Sequence, residues 1–93
     1  MKNITVTYTK TFNLEFDIES EEFKNALSDY KDVIYKKGKS TDMLHHVAHS
    51  IVMKGKGEMV EGVGFLHEDK SVPAGMFSGI KVSNEEDEIC IAF

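Results

Sequence analysis

The sequence predicts an α+β domain of order β-α-α-β-β-β, in which an antiparallel or mixed sheet is covered on one face by two helices. Three observations carry this: a strict two-residue alternation from Ile4 to Ile18, two helical periods between Ser20 and Gly55, and a remainder rich in glycine and β-formers. Ninety-three residues, 41% of them hydrophobic, suffice for one modest core, so residues 1–93 form a single domain.

In the first segment Ile4, Val6, Tyr8, Phe12, Leu14, Phe16 and Ile18 all fall on even positions, interrupted only by Lys10. The odd positions Thr5, Thr7, Thr9, Thr11, Asn13, Glu15 and Asp17 are polar. Successive side chains of a strand point to opposite faces, so one face is core and the other solvent. A single long strand, bulged near Lys10, fits better than a hairpin. A two-residue loop would spoil the parity, and a three-residue loop wants Gly or Asn where Thr11 stands.

Ser20 can cap a first helix whose opening turn holds Glu21 and Glu22, followed at helical spacing by Phe23, Ala26, Leu27, Tyr30 and Ile34. Gly38 offers a left-handed stop. Ser40 or Thr41 can cap a second helix with an apolar stripe of Leu44, Val47, Ala48 and Ile51, ending before Gly55. Strands are expected around Met59 to His67, Met76 to Ser83 and Glu88 to Phe93, with Asn84 to Asp87 turning between the last two. Cys90 then reads as a small core hydrophobe in a buried final strand.

The single cysteine cannot form an internal disulfide, which points to a cytoplasmic setting. No apolar run approaches the roughly 20 residues that cross a bilayer, and Met1 to Phe12 lacks a signal-peptide pattern. The net charge of -5 opposes direct nucleic-acid binding. All 11 basic residues are Lys, so the bidentate Arg forks that suit phosphate and guanine are missing. A host protein with a basic surface is the better-matched partner. The absence of Trp, Gln and Arg fits an AT-rich genome, such as a Firmicute or a phage that infects one.

Two constellations could carry chemistry. His45 and His49 are four apart on the second helix and can converge on a Zn²⁺ ion, whereas His46 is expected to point away. His67, Cys90, Glu58 and Glu61 are further ligand candidates, and the plainer reading is a set of ordinary edge histidines. The second is acidic. Glu15, Asp17 and Glu19 would form a carboxylate ladder on an extended strand, and Glu85, Glu86, Asp87 and Glu88 form another run. Either could dock on a basic groove, or could be a solvated strand end and a polar turn. No HExxH helix, GxSxG elbow or phosphate loop is present, so no enzymatic activity is expected, the alternative being a zinc-binding protein or small metalloenzyme centred on the His45 and His49 helix face.

The small size, the Lys-only basic set, the runs Glu15 to Glu22 and Glu85-Glu86-Asp87-Glu88, and the lack of a catalytic signature resemble the small acidic anti-CRISPR proteins of phages. That resemblance implies an inhibitor that binds a CRISPR effector such as Cas9 and blocks its nucleic-acid loading. Some members bind zinc, which would suit His45 and His49.

Overall fold

The computed structural model describes residues 2–55, 57 and 59–92. The elements are β1 (Thr5–Phe16), α1 (Glu21–Val33), α2 (Ser40–Lys54) and β2 (Ile80–Ala92). The architecture is α+β, with two helices and a two-stranded antiparallel sheet. The order among the described residues is therefore β-α-α-β, with fewer strands than the sequence suggests.

The correction lies in the second half. Met59 to His67 forms no strand; it makes one antiparallel bridge, Val60 to Gly64, and one parallel bridge, Phe65 to Phe77. Gly64 has φ 126°, and a Cβ there would stand 2.5 Å from the Met76 carbonyl oxygen, so the chain turns where the strand was expected to continue. The loop is nonetheless tied down. Buried Ser78 donates its hydroxyl to the Phe65 carbonyl at 2.7 Å and accepts from the Ile80 amide at 3.2 Å.

The expected turn at Asn84 to Asp87 is also absent, because Ile80–Ala92 runs through it as one strand. Thr11 pairs with Glu86 and Asn13 with Ser83, so Asn84 and Glu85 together oppose Phe12 alone. This is a β-bulge. Asn84 supplies it with φ 52°, a left-handed conformation that Asn tolerates better than most residues. The bulge has a topological effect. It shifts the parity of β2, so that even-numbered Ile80 and Val82 share a face with odd-numbered Ile89 and Ile91.

β1 behaves as one long strand, as expected, but the irregularity sits at Phe12 and the extra residue is in its partner. Its even positions do share one face, yet only part of that face is covered. Phe12 and Leu14 pack against the core, whereas Val6 and Tyr8 are each more than half exposed, as are Ile4 just before the strand and Ile18, which was expected on this face but lies in the turn into α1. Phe16 is 42% exposed and stacks on Phe23 with ring centroids 5.1 Å apart.

The core is made mostly by helices and loop. Phe23, Ala26 and Tyr30 of α1 meet Met43, Val47 and Ile51 of α2 and Ile80 of β2, with Val60, Val63 and Leu66 filling space that a strand was expected to fill. Met43 joins the stripe, while Leu44 is only partly buried. Ser20 caps α1, accepting the Phe23 amide at 3.2 Å. Lys39, not Ser40 or Thr41, is the cap residue of α2, and Asp42 accepts its backbone N–H at 2.8 Å. Gly38 is no left-handed stop: α1 ends at Val33, and Gly38 makes room for the Tyr30 ring, 2.5 Å from where its Cβ would lie.

Gly79 enters β2 with φ 78°, and a Cβ there would approach the Phe23 amide nitrogen to 2.8 Å. Gly79→Ala should therefore cost about 1–3 kcal/mol through the left-handed backbone and the clash with α1. Chemical denaturation checks this; an unchanged midpoint would mean that the entry to β2 is loose.

Candidate functional site

The two strands extend beyond the helical body as a ribbon, which gives the molecule extents of 54 × 32 × 20 Å. Cross-strand neighbours share a face, so the register divides the ribbon cleanly. Val6 and Ile91, Tyr8 and Ile89, and Lys10 and Asp87 occupy the face continuous with the core. Thr5, Thr7, Thr9 and Thr11 occupy the other, opposite Ala92, Cys90, Glu88 and Glu86.

The run from Glu85 to Glu88 is thereby split. Lys10 Nζ lies 3.4 Å from Asp87 and 3.8 Å from Glu85. Loss of water works against the Lys10 charge, but Asp87 and Glu85 prevail and raise its pKa. Partial desolvation, helped by a hydrogen bond to the Asp87 carboxylate, likewise raises the Tyr8 hydroxyl. Asp87 and Glu85 thus hold a lysine on the core-side face. Glu86 and Glu88, by contrast, lie with Thr9 and Thr11 along a shallow surface concavity of about 390 Å³ that Asp87 also borders. No lysine lines it.

The other acidic run is spent mostly on local structure. β1 ends at Phe16, so Glu15, Asp17 and Glu19 do not stand on one extended strand. Glu15 remains on the Thr face, opposite Lys81. Asp17 forms the turn into α1, its carboxylate accepting the Glu19 amide at 2.9 Å and its carbonyl accepting the Ser20 hydroxyl at 2.8 Å. Glu19 pairs with Lys24 at 3.5 Å.

His45 and His49 are both exposed and line one shallow pocket with Tyr30, Asp42 and His46. His46 does not point away from them. Its Nε2 is 3.0 Å from the Glu61 carbonyl oxygen, and its ring lies 5.5 Å from that of Tyr30. Among the described residues no three His, Cys, Asp or Glu side chains are grouped to hold a metal. His67 instead neighbours Asp69 at 3.5 Å, and Glu58 lies outside the described residues. Cys90 is exposed on the Thr face rather than buried, its thiol 3.5 Å from a Glu88 carboxylate oxygen.

The chain matches no protein-family model, no curated protein and no solved structure. Among the described residues no helix is long and apolar enough to cross a membrane.

Sequence reading missed two features. The first is the exposed apolar strip of Val6, Tyr8, Ile89 and Ile91, whose residue types alone signal burial. The second is an opening of about 300 Å³ between α1 and the loop that follows α2, bordered by Asp29, Asp32, Met59 and Met76. Asp29 lies on the flank of the α1 apolar stripe beside Ala26 and Asp32 farther round the helix, and the helical period alone does not join either to Met59 or Met76.

Proposed function

We propose that this chain is a non-enzymatic inhibitory binding protein of phage or mobile-element origin that acts in the host cytoplasm. It engages a basic protein surface and denies that surface to nucleic acid. A CRISPR effector such as Cas9 is the partner suggested by the resemblance to anti-CRISPR proteins. The observation that supports this reading best is the Thr face of the ribbon. Glu86 and Glu88 are held there about 6.6 Å apart by strand geometry, with Glu15 farther along the same face. Lys10 is drawn to the opposite face by Asp87, and Lys81 faces Glu15 across the ribbon, away from Glu86 and Glu88. A rigid, projecting row of carboxylates suits a lysine- or arginine-lined groove, and its field would speed the encounter. Adding the protein to guide-loaded Cas9 should inhibit target cleavage stoichiometrically and in a salt-sensitive manner. Undiminished cleavage at excess protein, whether it is added before or after the guide, would remove Cas9 as the partner.

A second reading, zinc binding at His45 and His49, is supported by the pocket they share. Their spacing fits a two-histidine chelate on one helix turn, with water completing the ion's shell. Elemental analysis of protein purified without a histidine tag should give close to one zinc per chain. His49→Ala should lose it and His46→Ala retain it. An unchanged melting temperature on zinc addition would count against the site.

A further inference from the structure

We propose that the apolar face of the outer ribbon is a dimerisation surface, covered by the same face of a second copy of this chain related by a two-fold axis. Val6 and Tyr8 of β1, Ile4 just before it, and Ile89 and Ile91 of β2 are 57%, 56%, 57%, 63% and 55% exposed. They continue the stripe that Phe12, Leu14, Val82 and Ile80 begin inside the core. The radius of gyration, 15.9 Å, exceeds the roughly 12 Å of a compact chain of this length because the ribbon stands clear of the helices. A two-stranded ribbon is only marginally stable in water without something packed on its hydrophobic side.

Area and charge select the occupant. At roughly 100 Å² of open surface for each of these side chains, one copy offers about 500 Å² and two copies about 1,000 Å², the lower bound of a specific interface. The patch is self-compatible. Its inner boundary is the Lys10, Asp87 and Glu85 cluster, in which opposite charges already face each other, and Glu86 and Glu88 point to the other side. A second copy therefore meets this cluster, one lysine between two carboxylates, at the edge of the apolar strip and not within it. A membrane surface suits it poorly, because a net charge of -5 is repelled by anionic lipid. Packed face to face at about 10 Å and running in opposite directions, each ribbon tip reaches toward the helical body of the other copy. Both Thr faces then remain outward.

Light scattering after gel filtration and sedimentation, run from about 1 to 100 μM, should give twice the chain mass of 10.5 kDa at the upper end, with a concentration-dependent melting temperature. Tyr8→Glu should be monomeric, and Glu86→Lys, on the opposite face, should still dimerise. Should Tyr8→Glu fail to fold, hydrogen exchange on the unaltered protein keeps the question open to test. Amides from Val6 to Tyr8 and from Ile89 to Ile91 should be protected about tenfold or more at high concentration relative to low. A chain monomeric throughout this range overturns the proposal, as does equal exchange at both concentrations. So does a monomer whose apolar strip is covered only on adding neutral phospholipid vesicles.

Discussion

Replacing Ile80 by Ala will lower the unfolding free energy by about 2–5 kcal/mol. Ile80 is fully buried at the start of β2, where the strand, α1 and the loop meet. Its loss would leave a cavity that the surroundings can close only in part, because Gly79 beside it is already pressed against the Phe23 backbone. Phe16, its cross-strand neighbour, provides the internal comparison. The strand pattern alone would give Phe16→Ala the cost of a full core deletion. With the ring 42% exposed, the expected loss is roughly half of that for a buried Phe, about 1.5–2.5 kcal/mol, much of it the stack on Phe23. Urea titrations of the two variants check the order. If Phe16→Ala proves the more damaging, the order of burial within the Phe16–Ile80 pair is wrong.

That contrast marks how far the sequence was legible. The helices were readable because Phe23, Ala26 and Tyr30, and Val47 and Ile51, repeat at the helical period and Ser20 is a strong cap. The face of β1 was readable from parity. Its burial was not, because parity sorts residues into faces and says nothing of what covers them; the two helices reach only as far as Phe12.

In β2 the parity itself misled. Ile80 and Val82 are even and Ile89 and Ile91 odd, a mismatch that a turn at Asn84 to Asp87 would explain. The bulge at Asn84 resolves it within one strand, and nothing local separates the two solutions, because Asn and acidic residues suit both a turn and an exposed bulge. For the candidate site, the consequence was a wrong arrangement of the acidic residues. The run from Glu85 to Glu88 is a two-faced strand segment instead of a loop tip.

Changing Glu86 and Glu88 together to Lys should slow association with the effector by about ten- to a thousandfold, the range that electrostatic steering commands. Both side chains are exposed on the Thr face, and neither contributes to the core, so the melting temperature should hardly move. Asp17 and Glu19 serve as the comparison. They are occupied by the turn into α1 and by Lys24, so Asp17→Asn with Glu19→Gln should change helix stability more than binding. The sign of the salt effect adds a second readout. Raising ionic strength shortens the Debye length from about 10 Å at 0.1 M, which should slow the unaltered protein's association and leave the double Lys variant unaffected or slightly faster. Association rates measured against guide-loaded Cas9, with cleavage as the parallel assay, distinguish the faces. If the Glu86 and Glu88 reversal leaves both unchanged while the protein still inhibits, contact is made elsewhere. The opening between α1 and the loop, with Asp29 and Asp32 on its border, is then the next surface to reverse.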